Sequence, residues 1–212
     1  MSSHARNPQG STLREGGDDP HQRGIVDARL QEQNDRLQLL LKLTNSITSN
    51  LTLKEVLQTV AANVREVMHC DAANIALPAE EPGTFRLRAL DFPGSKGLFT
   101  EEQIVTPTDN SPAKRALDTL KPVSGHVTWT RAAAEGLKTV CFIPLVNHGR
   151  ALGYMSLARV SEDTFTQDEV DFLSQAAGQI AIAVDNALAY EEIVQLKEAC
   201  PGEALPRRRN SQ

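Results

Sequence analysis

The stretch KTVCFIPLVNHGRALGYMSLARV, residues 138–160, constrains the fold more than any other part of the chain. Two apolar runs, 139–146 and 152–160, flank the turn residues Asn147, His148, Gly149 and Arg150. Gly149 can take a positive φ without steric cost, and the Asn147 side chain can bond nearby backbone, so the stretch reads as a β-hairpin. Its first arm is apolar on successive residues from Val140 to Val146 rather than on alternate ones. A strand of that kind is dry on both faces. The rest of the chain must therefore supply two covers for this hairpin, one on each side.

Helices for one cover are legible. A heptad-like stripe of Leu30, Leu37, Thr44 and Leu51, interleaved with Gln33, Leu40 and Ile47, predicts an N-terminal helix over 25–50. Thr52 and Glu55 form a capping-box pair, opening a helix that buries Leu53, Val56, Leu57, Val60, Val64 and Val67 and ends near His69. Thr166 and Glu169 form a second such pair. From there a long helix runs from Gln167 to about Ala199, with Val170, Leu173, Ala177, Ile180, Val184 and Ala187 in rhythm. Strands are expected at 72–77 and 84–90, with Phe85, Leu87 and Ala89 facing one way and Arg86 and Arg88 the other, and a short one at 103–106. Ser111 before Pro112 marks the start of a short helix over 113–120. The segment 123–137 reads as loop. The order of elements predicts an α+β fold, an antiparallel sheet with long N- and C-terminal helices on one face and a loop and short-helix layer on the other. Residues 1–24 and 200–212 are polar and rich in Pro, Gly and charge, and are expected to be disordered tails.

Composition narrows the function classes. A chain of 212 residues holds one domain plus tails. Its net charge of −5 offers no general attraction to nucleic acid, so no direct nucleic-acid contact is expected. No run reaches the roughly 18 apolar residues of a membrane span, and the first 20 residues lack an apolar signal region. Three widely spaced cysteines, Cys70, Cys141 and Cys200, argue against a disulfide framework and for the cytoplasm.

The sequence VCFIPL at 140–145, a turn, GRALGYMSL at 149–157 and then FTQD at 165–168 before a long apolar helix resembles the C-terminal half of a GAF domain. DAANIAL at 71–77 looks like that family's second strand, and the likeness covers about 37–199. Residues 40–51, ALDFPGSKG at 89–97 and QIAIAVDNALA at 179–189 look like the sensory GAF module of formate-hydrogenlyase-activator-type proteins, which are sigma-54-dependent bacterial transcription activators. In those the last helix leads into an ATPase and a helix-turn-helix domain. This sequence contains no GxxxxGK[ST] phosphate loop and no DNA-reading helix after 199, so a free-standing or truncated sensor is expected.

The resemblance implies a pocket between the sheet and the layer 91–137. Candidate ligand contacts there are Arg115, Ser124, His126 and Trp129, with Arg131 nearby and Cys141 on the hairpin. Arg115 offers a planar donor fork for a carboxylate, or else lies on the solvated side of its helix. His126 and Trp129 either bind or shield a loop. The residues specify no cofactor. No His or Cys pair has metal-ligand spacing, and the cyclic-nucleotide pattern NK…FxxxDE is absent, since FTQDE has one residue fewer and Ala158-Arg159 replaces Asn-Lys. The expectation is a non-enzymatic sensory module. It binds a small-molecule effector and signals through a homodimer seam at Leu30, Leu37, Ile180, Val184 and Ala187. Two alternatives are a dimerisation module without ligand and an enzyme of the free-methionine-sulfoxide-reductase type.

Overall fold

A computed structural model describes residues 53–199. The N-terminal helix expected over 25–50, both tails, and seam residues Leu30 and Leu37 lie outside the described residues. The elements are α1 (Leu53–Val67), β1 (Ala72–Pro78), β2 (Phe85–Asp91), β3 (Ile104–Val105), α2 (Pro112–Thr119), β4 (Val123–His126), α3 (Thr130–Ala134), β5 (Thr139–Asn147), β6 (Arg150–Arg159) and α4 (Gln167–Ala199). The six strands form one antiparallel sheet in the order β3-β2-β1-β6-β5-β4. The α+β expectation is met. The segment expected to be loop contains an edge strand, β4, and a short helix, α3.

The hairpin closes as its residues dictate. His148 and Gly149 both take positive φ, 48° and 74°, and the Asn147 side chain accepts the His148 N–H at 3.1 Å. Both arms are dry on both sides. Cys141, Ile143 and Leu145 of β5 join Met155 and Leu157 of β6 and Ala73, Ile75 and Leu77 of β1 in one core. Leu57, Val60, Ala61 and Val64 of α1 and Leu173, Ala177, Ile180 and Val184 of α4 cover that face. The residues between them, Val140 and Phe142, Tyr154 and Ala158, Ala72 and Ala76, face a second core under α2 and α3. Ile180 and Val184 are thus consumed within the chain, at 2% and 0% exposure, which corrects the expected seam. Ala187 is half-buried. The heptad rhythm that suggested a partner helix is the face that α4 presents to its own sheet.

Two bulges change the expected facing. In β2, Ile75 pairs with Ala89 and Ala76 with Leu87, so Arg88 is an extra residue. One inserted residue reverses side-chain parity. Leu87 accordingly lies in the α2/α3-side core and Ala89 in the α1/α4-side core, not on one face as alternation alone predicts. Beyond the bulge, Asp91 pairs with Arg65 of α1, while Leu90 and Phe92 turn to the opposite side. The second bulge lies at Leu152–Gly153, where Pro144 pairs with Tyr154 but Val146 with Ala151. Gly153 has φ 150°, and a Cβ there would stand 2.2 Å from the Ala76 carbonyl oxygen of the neighbouring central strand.

Two attachments hold α4 to the hairpin. At its start, the capping box forms as the spacing predicts: Glu169 N–H donates to Thr166 Oγ1 at 3.3 Å, and Thr166 N–H donates to Glu169 Oε2 at 2.8 Å. The same carboxylate binds Arg159, the last residue of β6, whose guanidinium carbon lies 4.3 Å from the Phe165 ring centroid. Burial pushes the Glu169 carboxyl up, but Arg159 and the Thr166 N–H outweigh it and hold it below its ordinary value. Further along the helix, Asp185 accepts from Asn147 at 3.0 Å and from Arg150 at 3.2 Å, tying the turn to the helix.

The glycine geometry predicts unequal substitutions. Gly153→Ala should cost about 2–5 kcal/mol by combined backbone strain and collision with a central strand. Gly149→Ala, where a Cβ meets nothing within 4 Å, should cost about 1–2 kcal/mol from its φ alone. Urea denaturation of both variants measures the difference.

Candidate functional site

Between the sheet and the α2/α3 side lies a cavity of about 650 Å³. The sequence creates it by placing small side chains in register at the centre of the sheet. Ala72 of β1 pairs with Ala158 of β6, and Asn74 pairs with Ser156. These four residues form a two-by-two block on the floor of the cavity. Large rings border the block: Tyr154 and Phe142 stand 5.6 Å apart between centroids, and Trp129 reaches to 5.9 Å from Phe142. Across it, Ala113 of α2 and Ala132 of α3 line the opposite wall, again too small to fill the space. A space of this size, with alkyl and aromatic walls and a polar margin from residues 106–111, Thr128 and Arg131, suits a small-molecule ligand.

The polar centre of the floor is the Asn74–Ser156 pair. Asn74 Nδ2 donates to Ser156 Oγ at 2.7 Å. Asn74 Oδ1 is shielded from solvent and meets no donor among the described residues. Tyr154, buried against the rings, has its phenol pushed well above the usual range by burial, so it is neutral. At the margin, the Arg131 guanidinium lies 5.5 Å from the Phe99 ring centroid, a cation–π contact that anchors one rim residue on another.

The structure sorts the expected site residues by strand parity. Trp129 and Arg131 line the cavity. Ser124 and His126 do not: they are exposed, and they pair with Cys141 and Thr139, on the face turned away from it. Val123, which pairs with Phe142, is the β4 residue that packs on the cavity side. Arg115 is exposed on α2 and Cys141 is fully buried in the α1/α4-side core, so neither lines the cavity. Burial pushes the Cys141 thiol up to about 12 and the Cys70 thiol up to about 11, which keeps both protonated and poor nucleophiles. Among the described residues no group of three or more His, Cys, Asp or Glu could hold a metal ion. Sequence reasoning missed Asn74, Ser156 and their alanine neighbours. Their signal, small residues at i and i+2 on two strands, acquires meaning only once the register is known.

The loop 92–99 contributes Phe92 and Phe99 to the cavity wall, and one buried carboxylate gathers three of its donors. Glu135, buried at 3% exposure after α3, accepts from Lys96 N at 2.6 Å, Leu98 N at 2.7 Å and Ser95 Oγ at 3.1 Å. Burial pushes the Glu135 carboxyl up, but these donors and the Lys96 charge prevail and hold it below its ordinary value. The anchoring is therefore complete above the ordinary carboxylate pKa and is lost as pH falls through the depressed folded value. Glu135→Ala should free the loop at neutral pH, raising the rate of trypsin cleavage after Lys96 roughly tenfold or more, since two backbone donors and one hydroxyl lose their acceptor. The unsubstituted protein should show the same rise only in acid, which an acid-tolerant protease and mass mapping would reveal.

Comparison with known proteins places the fold. A family model described as GAF domain matches residues 50–185. Over 190 residues the chain is 28% identical to the formate hydrogenlyase transcriptional activator of Salmonella typhimurium, covering 83% of this chain and 27% of that protein. The chain thus spans little more than a quarter of the length of the curated relatives it matches. Among solved structures, the GAF domain of a phosphoenolpyruvate-protein phosphotransferase from Coxiella burnetii superposes with a TM-score of 0.63 at 17% identity, covering 74% of this chain and 97% of that one. The phycoerythrobilin-bound GAF domain of a cyanobacterial phytochrome superposes with a TM-score of 0.61 at 15% identity, covering 75% of this chain and 99% of that one. These two likenesses are of fold. With the match running from before α1 into α4 and through every strand of the sheet, the chain belongs to the GAF domain family.

Proposed function

We propose that this chain is a non-enzymatic sensory module that binds a small molecule in the 650 Å³ cavity and passes the event to α4. The observation that carries this reading is the two-by-two block of small residues at the centre of an otherwise close-packed sheet. Interiors are normally filled, so a cavity built by four paired small residues and bordered by aromatic rings calls for an occupant. Ser156 and Ala158 lie on β6, and the next residue, Arg159, binds Glu169 at the start of α4. A ligand can shift α4 only by binding one arrangement of these elements better than another. The relatedness to transcription activators supports a regulatory role, with the module acting on a further domain or partner that does the transcriptional work. No helix among the described residues is long and apolar enough to cross a membrane.

A second reading, an interaction module, has one observation in its favour. Ile182, Ala189 and Ile193 form an exposed stripe on α4, broken only by the polar Asn186, with Ile182 42% and Ile193 50% exposed. A homodimer through this stripe replaces the seam expected at Ile180 and Val184. Sedimentation equilibrium should show a dimer that Ile182→Glu with Ile193→Glu dissociates; a monomer at all concentrations refutes it.

The sensory reading is tested by thermal-shift screening of small carboxylates, nucleotides and planar heteroaromatics. A true ligand at 100 times its Kd adds about 2.7 kcal/mol and raises Tm by several degrees. Ala158→Met, which fills the floor of the cavity, should fold but lose the response. No stabilisation by any compound, or equal stabilisation of the filled variant, overturns the reading.

A further inference from the structure

The exposed stripe on α4 carries a pattern as well as apolar surface, and the inference drawn from it deepens the interaction-module reading above and rests on it. Ile182, Asn186, Ala189 and Ile193 are separated by four, three and four residues. That is the spacing of alternating d and a positions in a heptad, with Ile182 and Ala189 at d and Asn186 and Ile193 at a. In sequence Leu196 continues the series at d, still within the helix. At about 100° per residue these five positions fall within a sector of roughly 80°. Leu173, Ala177, Ile180 and Val184, which pack on the sheet, centre on the opposite side of the helix. A second helix can therefore lie along the stripe without displacing the core.

The polar residue in the stripe decides which occupant and which orientation fit. In a parallel, in-register pair of α4 helices each a residue meets its own copy, so Asn186 faces Asn186 of the partner subunit and the two amides can bond each other. In an antiparallel pair a meets d. Asn186 would then face Ala189 of the partner subunit, and its amide would be covered without a mate. A single asparagine at an a position fixes register in this way, at a cost in stability. Charge agrees with the parallel form. The sequence places Glu192 at g and Lys197 at the e position five residues later, the two positions that a parallel pair brings together. The preceding g residue, Asp185, instead binds Asn147 and Arg150 of its own hairpin. Toward the start of the helix the d and a positions hold Gln175 and Gln179, so the apolar seam begins at Ile182. About two heptads hold a pair weakly, and covalent capture reads such a pair best.

We propose that α4 forms the seam of a parallel, in-register homodimer in which Asn186 pairs with Asn186 of the partner subunit. This seam lies on the side of α4 opposite the expected one, whose Ile180 and Val184 are buried within the chain.

Disulfide capture on the full chain tests the orientation. Cys70 and Cys141 are buried, so in a Cys200→Ser background Ile193→Cys supplies one accessible thiol, at an a position. In a glutathione buffer it should form a linked dimer at least about tenfold faster than Leu188→Cys, a comparably exposed α4 residue at a c position, off the seam. In an antiparallel pair Ile193 lies opposite Ile182 of the partner subunit and about 16 Å along the helix from its own copy. Linking only when Ile193→Cys is mixed with Ile182→Cys therefore overturns the proposal. Asn186→Leu, which removes the polar pair, should tighten the dimer about tenfold in sedimentation equilibrium, and unchanged or weaker association overturns the seam. A dimer that Ile182→Glu with Ile193→Glu dissociates, but that Ile193→Cys fails to link, leaves the interaction reading standing and removes the parallel register alone. A monomer at every concentration overturns both.

Discussion

The three central strands of this sheet are dry on both faces, and almost everything else follows from that. On β5, β6 and β1 each step along the chain assigns a side chain to one of two different environments. One is a close-packed layer under α1 and α4, where Ile75, Ile143, Met155 and Leu157 are at most 1% exposed. The other is a looser layer under α2 and α3. The same strand can thus build a close-packed core with its odd positions and a cavity floor with its even ones. Neither cover is optional, because exposing either face would leave a broad apolar surface in water.

This double burial explains which parts of the fold were legible. The hairpin, the capping box at Thr166 and Glu169, and the N-cap at Ser111 depend on local chemistry, and each forms as its residues indicate; Ser111 Oγ accepts the Lys114 N–H at 3.2 Å. Facing was harder. Arg88 looks like any polar residue in an alternating strand, yet it is the bulge that separates Leu87 from Ala89. The strand β4, VSGH, has too few apolar residues to announce itself and is specified by its pairing with β5. Reading it as loop removed the parity that would have turned Ser124 and His126 away from the cavity. Cys141 could have been assigned correctly from the hairpin itself, since it alternates with Val140 and Phe142. The heptad positions of α4 illustrate the converse: a seven-residue rhythm serves a sheet face as well as a partner helix, and periodicity alone does not distinguish them.

The site was least legible because a cavity is encoded by what is missing. Alanine, asparagine and serine carry no special signal in a strand. Only the register, Ala72 against Ala158 and Asn74 against Ser156, places the four together. Their smallness has a cost in lost dispersion and in one unpaired amide oxygen. A sheet under selection for stability alone would fill that space with valine or isoleucine, as it does on the other face at Ile75 and Ile143. The two faces of the same strands thus differ sharply: large side chains fill one, and small ones leave a cavity on the other.

The attachments of α4 set how such a floor could act at a distance. Glu169 is bound to the end of β6 and Asp185 to the turn at its beginning, 16 residues apart, or about 24 Å of helix at 1.5 Å per residue. A helix fixed to one hairpin at two points so far apart cannot pivot about either of them without breaking a charge-assisted contact. Together with the buried Leu173, Ala177, Ile180 and Val184 that pack on the sheet between them, these contacts couple the helix to the hairpin. Displacement of β6 relative to β1, the two strands that share the cavity floor, would therefore carry α4 along rather than be absorbed in the intervening loop. At Gly153 the backbone of β6 approaches β1 so closely that a Cβ would meet the Ala76 carbonyl. Half of the small-residue block, Ser156 and Ala158, lies on the inner strand of the hairpin, and Arg159, the residue after Ala158, binds the start of α4.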